Sequence, residues 1–145
     1  MERYERQMIG IALTLLLFFF VLILYAAKGL GAEVPTCLPE AQPFEKGELI
    51  QLGDKRYQLN MVARMWNFDP VEIRIPAGST VDIYVTSRDV VHGFHIERTL
   101  VNLMAIPGVV SYRRVQFDQP GEYQIICHEY CGVAHHNMAG KLIVE

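Results

Sequence analysis

The chain has 145 residues, with 13 Lys and Arg against 16 Asp and Glu, for a formal net charge of −3. That balance excludes a basic nucleic-acid binder on bulk electrostatics. A composition that is 51% hydrophobic and 20% charged excludes a disordered chain, and the length suits one ordinary domain with an extra segment.

The extra segment comes first. Met8 to Ala27 reads MIGIALTLLLFFFVLILYAA without a charge. At about 1.5 Å per residue this run matches the roughly 30 Å hydrocarbon core of a bilayer. A secretory signal peptide competes, but its apolar region usually spans only about 7 to 15 residues. We therefore read residues 1–28 as a single transmembrane anchor. Arg3 and Arg6 precede the run and Lys28 follows it, so the positive-inside bias puts the amino terminus in the cytoplasm and the rest outside. Residues 29–48, with Pro35, Pro39 and Pro43 and no sustained period, read as a linker. The acidic excess lies beyond the anchor, where it favours either a basic partner or a plain solvated surface.

From residue 49 to 145 the apolar period becomes 2. Val71, Ile73 and Ile75 alternate with Glu72 and Arg74, and Val81, Ile83 and Val85 repeat the pattern, as half-buried strands require. Further strands are predicted at 56–63, 109–117, 122–127 and 141–144. Pro76-Ala77-Gly78 and Gln119-Pro120-Gly121 supply turns. Short strands with frequent turn signals and no helical period after residue 48 predict a mainly β domain, a sandwich or a barrel.

All 5 histidines fall between residues 92 and 136, with Cys127 and Cys131 in the same stretch. Cys127-His-Glu-Tyr-Cys131-Gly-Val-Ala-His135-His-Asn-Met138 lies between two expected strands, and VVHGFH upstream offers His92 or His95. Thiolate, imidazole and thioether together are the ligand types of a copper site. The second cysteine is one thiolate more than a mononuclear blue-copper centre uses. Two thiolates bridging two copper ions, with one terminal imidazole each and Met138 as a weak axial ligand, close the ligand count. Such a centre relays electrons and needs no open coordination position. Zinc or a disulfide between the cysteines is the alternative reading of the same residues. Cys37 has no evident partner and reads as a free thiol, while His95, His128 and His136 fit hydrogen-bonding roles.

These residues resemble subunit II of the haem-copper cytochrome c oxidases, specifically its CuA domain. The anchor, the SRDVVHGFHIE segment, the PGEYQIICHEYCGVAHHNM loop and the terminal strand all take part in the resemblance. A single anchor is similar to the B-type enzymes. The resemblance implies a cupredoxin-like Greek-key β-sandwich. It also implies that Cys127 and Cys131 bridge, that His92 and Met138 complete one copper, and that His135 and the backbone carbonyl of Glu129 complete the other. It chooses His92 over His95, which spacing leaves open. Magnesium at the Glu129 carboxylate is a feature of A-type relatives that the B-type anchor argues against. Trp66, in Arg64-Met-Trp66-Asn-Phe68, falls where the family receives electrons, with a packing role as its alternative. Glu5 in YERQ resembles a carboxylate at the cytoplasmic mouth of the B-type proton channel, with an ordinary interfacial charge as its alternative.

The expected function is therefore that of a cytochrome c oxidase subunit. It would take electrons from a periplasmic cytochrome c and pass them to haem in subunit I, where oxygen is reduced and protons are pumped. The expected setting is the inner (plasma) membrane, with lipid, subunit I and cytochrome c as partners and no nucleic acid. The competing expectation is a stand-alone membrane-anchored protein that binds or delivers copper, separable by whether a haem-rich partner co-purifies.

Overall fold

The structure, a computed structural model, describes residues 2–30, 36–38 and 41–145. It divides into two compact units, Met1–Val34 and Pro35–Glu145. Its described residues in the first unit form one helix, α1 (Arg3–Gly29), whose stretch from Met8 to Ala27 is apolar on every face and long enough to cross a bilayer. Thr14 sits inside this apolar run without an orphan hydroxyl, because its Oγ1 donates to the Gly10 carbonyl at 2.8 Å.

The second unit is a sandwich of two sheets. The strands are β1 (Thr36–Leu38), β2 (Glu48–Gly53), β3 (Arg56–Arg64), β4 (Asn67–Asp69), β5 (Glu72–Ile75), β6 (Ser79–Ser87), β7 (His92–Ile96), β8 (Asn102–Ala105), β9 (Val110–Phe117), β10 (Gly121–Ile126) and β11 (Ala139–Val144). One sheet runs β1-β9-β6-β3-β2, with β4 also paired to β3, and the other runs β5-β11-β10-β7-β8. The chain crosses between sheets on entering β5, β6, β7, β9 and β10, so strands distant in sequence become neighbours in space. β3 with β6 and β11 with β5 are parallel, which only such crossings allow.

Alternation decides what faces inward. Ile73 and Ile75 of β5, Val81, Ile83 and Val85 of β6, and Tyr123 and Ile125 of β10 are buried, with Glu72, Arg74, Glu122 and Gln124 between them exposed or half-exposed. Phe68 meets Phe94 edge-on at 5.6 Å, and Phe117 meets Tyr123 at 5.5 Å, so each aromatic pair joins the two sheets. The Tyr123 hydroxyl donates to the Gln119 carbonyl at 2.8 Å, which ties the turn before β10 to the core.

Part of the span read as linker is structured. Of residues 29–48, positions 31–35 and 39–40 lie outside the described residues, but β1 pairs antiparallel with β9 from Thr36↔Tyr112 to Leu38↔Val110. A strand of 3 residues is too short to show a period, and its register comes from β9. Further on, Gly47 is buried and its N–H donates to Asp69 Oδ2 at 3.0 Å. Only glycine fits there, since a Cβ would stand 1.7 Å from the Asp69 carbonyl oxygen.

Parallel β3 and β6 end on the same side, and β7 begins and β10 ends there too. Three of the connections at this end frame one site: 65–66 after β3, 88–91 after β6 and 127–138 after β10.

Candidate metal centre

The connection after β10 is shaped by its own backbone. The Cys127 N–H donates to the Met138 carbonyl at 3.3 Å, closing the loop at its neck. Inside it, a short 3-10 helix (His135–Asn137) is held by His135 N–H to Gly132 and Met138 N–H to His135. With about three residues per turn, side chains at i and i+3 eclipse, so His135 and Met138 emerge on one side.

Their atoms converge. Cys127 Sγ and Cys131 Sγ are 3.7 Å apart, Cys131 Sγ is 3.5 Å from His135 Nδ1 and 3.7 Å from Met138 Sδ, and Cys127 Sγ is 3.2 Å from the Glu129 carbonyl oxygen. A ring nitrogen of His92, fully buried on β7, lies with both sulfurs in a group spanning no more than 4.8 Å. Both cysteines are free thiols and Met138 is buried. Of the two histidines in VVHGFH, His92 faces this cluster. The ring of His95 is bonded through Nδ1 to the Val101 carbonyl at 2.8 Å.

One residue that the sequence reading missed is Asp89. His92 Nε2 lies 2.7 Å from Asp89 Oδ1. An ionised carboxylate only accepts, so Nε2 carries the proton and Nδ1 presents a lone pair. That Nδ1 is buried without a hydrogen-bond partner among the described residues. A buried imidazole nitrogen without a partner is costly unless a cation takes it. Burial works to raise the Asp89 carboxyl. Hydrogen bonds from His92 and from the Met65 and Val90 N–H groups outweigh it and hold the carboxyl below the usual carboxylate range. The available signal was a carboxylate three residues ahead of a candidate ligand.

Burial, followed by the neighbouring Cys127, pushes the Cys131 thiol up to about 11. A metal binding here must therefore displace protons, which a thiophilic cation does. The donor set, two thiols, two imidazoles, a thioether and a carbonyl, is soft and suits copper.

The remaining candidates fall as follows. Trp66 follows β3 at the same end, with its indole Nε1 donating to the Cys131 carbonyl at 3.3 Å while the side chain stays 40% exposed. Its ring also backs Gly132. The Glu129 side chain is exposed, and only its carbonyl faces a sulfur. His128 is exposed with its ring lying over Gly93, where a Cβ would come within 2.6 Å of it, and His136 is exposed on the 3-10 helix. The Tyr130 ring meets that of His135 edge-on at 5.9 Å. Cys37 is exposed on β1. Glu5 lies in the first turn of α1, in the other unit, and its carboxylate accepts the Glu2 N–H at 2.8 Å.

Comparison with known proteins gives the family. Residues 54–145 match the family model for the periplasmic domain of cytochrome c oxidase subunit II. A cytochrome c oxidase subunit 2 of Thermus thermophilus is 34% identical over 154 residues, covering 98% of this chain and 92% of that one. A chain of a haem-copper terminal oxidase dimer solved by cryo-electron microscopy superposes with a TM-score of 0.85 at 56% identity, covering 99% of this chain and 100% of that one. Auracyanin A, a blue copper protein of Chloroflexus aurantiacus, shares the fold alone, with a TM-score of 0.50 at 16% identity over 62% of this chain and 99% of its own. The sandwich is thus cupredoxin-like. The chain belongs to the cytochrome c oxidase subunit II family, as a membrane-anchored copper subunit of an oxidoreductase complex.

Proposed function

We propose that this chain accepts electrons from cytochrome c at a binuclear copper centre and passes them to haem in subunit I, where oxygen is reduced. Cys127 and Cys131 would bridge the two ions. His92 and Met138 would serve one, and His135 with the Glu129 carbonyl the other. The observation that carries this reading is the convergence of both thiols with a ring nitrogen of the buried His92, whose Nδ1 has no hydrogen-bond partner among the described residues, with His135, Met138 and the Glu129 carbonyl at 3.2 to 3.7 Å from one or other sulfur. When bound, the copper pair supplies a one-electron relay whose charge is shared over both ions.

The protein's own groups do the rest. Asp89 fixes the His92 tautomer, and the buried sulfurs keep water away from the ligands. Trp66, half in solvent and bonded to the carbonyl of a cysteine ligand, is the place for electrons to come in. Met65 next to it in the chain, and Tyr130 and Val133 flanking the Cys131-Gly132 pair that it touches, are exposed, 46%, 75% and 84% respectively, the aromatic and apolar residue types that protein interfaces favour. The cupredoxin unit would lie on the periplasmic side with α1 in lipid, and Glu5 would stand at the cytoplasmic end, where protons are taken up. The Glu129 carboxylate is exposed, so magnesium at an interface with subunit I stays an open, secondary part of the reading.

Metal analysis with electron paramagnetic resonance on the purified chain tests the centre. The expected result is two coppers per chain and a spin shared between them. Saturation by one ion, or by zinc alone, refutes it.

A further inference from the structure

Asp89 makes a contact that the copper ligands alone do not require. It sits in the connection between β6 and β7, where Oδ1 takes His92 Nε2 at 2.7 Å and accepts the Val90 N–H at 2.7 Å. Its other oxygen, Oδ2, accepts the Met65 N–H at 2.6 Å. Ser87 Oγ lies 3.3 Å from Oδ1 and also donates to the Val90 carbonyl, which steadies the turn that carries the carboxylate. Met65 belongs to the corner between β3 and β4, and the next residue, Trp66, reaches the Cys131 carbonyl. A ring of contacts results, from His92 through Asp89 and Met65 to Trp66 and back to the loop that holds the sulfurs.

A carboxylate is the side chain this ring needs. Both oxygens accept, and both partners donate. An asparagine of the same shape offers one acceptor and one donor, so it satisfies His92 or Met65 but sets its NH2 against the other N–H. The short distances are those of charge-assisted hydrogen bonds.

We propose that Asp89 is a positioning residue that fixes the His92 imidazole and the Met65–Trp66 corner together, so that the histidine beside the sulfurs and the indole on their loop form one mechanical unit. The inference rests on the copper reading for the role of His92. The Asp89–Met65 contact stands apart from that reading.

The test uses the full chain in detergent, metal-free and copper-loaded. Trp66 is the only tryptophan, so fluorescence reports the corner alone. In the metal-free wild type, the Met65 amide should exchange roughly ten- to a hundredfold more slowly than an unprotected amide, the range a hydrogen bond to a charged group supports. In Asp89→Asn that protection should fall and acrylamide quenching of Trp66 should rise. After copper loading, the same variant should keep its copper while its reduction potential shifts.

Unchanged Met65 exchange and Trp66 quenching in a folded Asp89→Asn chain would overturn the proposal, leaving Asp89 a partner of His92 only. If that variant does not fold, the wild-type Met65 amide decides, and exchange at the unprotected rate overturns the proposal. Failure of the copper reading looks different. The wild type would then take up no copper pair, while Met65 and Trp66 still responded to Asp89→Asn.

Discussion

Gly132 follows Cys131 with φ at +120°, a backbone region that L side chains rarely adopt. Alanine there carries about 1–3 kcal/mol of backbone strain. Its Cβ would also stand 3.2 Å from Trp66 Nε1 and 3.3 Å from Cζ2. Comfortable carbon contacts begin at about 3.5 Å, so the indole must retreat by a few tenths of an ångström. Its hydrogen bond to the Cys131 carbonyl is already 3.3 Å long, and a retreat of that size breaks it. The loss adds about 0.5–1.5 kcal/mol. Together Gly132→Ala should cost about 2–4 kcal/mol, a fall in Tm on the order of 10–20 °C for a domain of this size. The assay is thermal unfolding of the metal-free chain followed by circular dichroism, with Trp66 emission recorded alongside. A double-mutant cycle with Trp66→Ala separates the two causes, because only the backbone strain survives without the indole. Melting within about 2 °C of the wild type would refute the strain argument. An equal cost in both backgrounds would refute the contact.

Replacing Cys127 or Cys131 by Ser should abolish the shared-spin copper signal, since neither ion pair nor delocalisation survives the loss of a bridge, and an intact two-copper spectrum in either variant contradicts bridging. Met138→Leu should retain copper and change the reduction potential, as expected of a weak axial thioether, whereas complete metal loss would show that Met138 holds the site rather than tunes it. Asp82 gives a pH prediction. Its burial works to raise the carboxyl, but Arg114 at 2.6 Å, the Tyr112 hydroxyl at 2.8 Å and Arg56 at 3.5 Å outweigh it, so the folded pKa lies below the ordinary 3.8. Its stabilisation is thus present above about pH 4 and lost as pH falls through the folded value. Asp82→Asn should lower stability at pH 7 by about 1.5–3 kcal/mol in urea unfolding, and the gap from wild type should close on acidification. A gap that does not narrow at all as pH falls would show that charge is not its source.

Half-buried strands were legible from the sequence because one face is wet. β5 alternates buried apolar with exposed polar residues, and β6 alternates in sequence although its polar Asp82 and Thr86 are themselves buried; both were predicted. β7 was missed because its HGFHI carries glycine and two histidines, which hide the period. Yet the same segment held the answer to the question that spacing left open. Residues two apart share a face of a strand, so His92 lies with the buried Phe94 and Ile96, while His95 lies on the opposite face. Cys127, Cys131, His135 and Met138 were legible because 12 residues of loop and a single turn bring them together, so that spacing and geometry coincide. Asp89, Met65 and Gly132 were not, because their roles arise where three connections meet at one end of the sandwich. Pairing of β3 with β6 and of β10 with β7 creates that meeting, and no local pattern announces it.

The same division explains how the site is held. His92 is set by a sheet, since β7 is hydrogen-bonded to β10 on one side and β8 on the other. The sulfurs, His135 and Met138 belong to a loop whose neck is the Cys127–Met138 backbone bond. Even held by that neck and by its 3-10 turn, the loop can rock as a body, and rocking would vary the distance between the sulfurs and His92. Two contacts oppose it from a third element: the Trp66 indole grips the Cys131 carbonyl, and Asp89 ties the corner bearing Trp66 to the turn before β7. The rigidity an electron relay needs is therefore supplied across three connections as well as within the copper loop. Changes at Met65, Asp89 or Gly132 should accordingly act on the potential and the electron-transfer rate without touching a ligand.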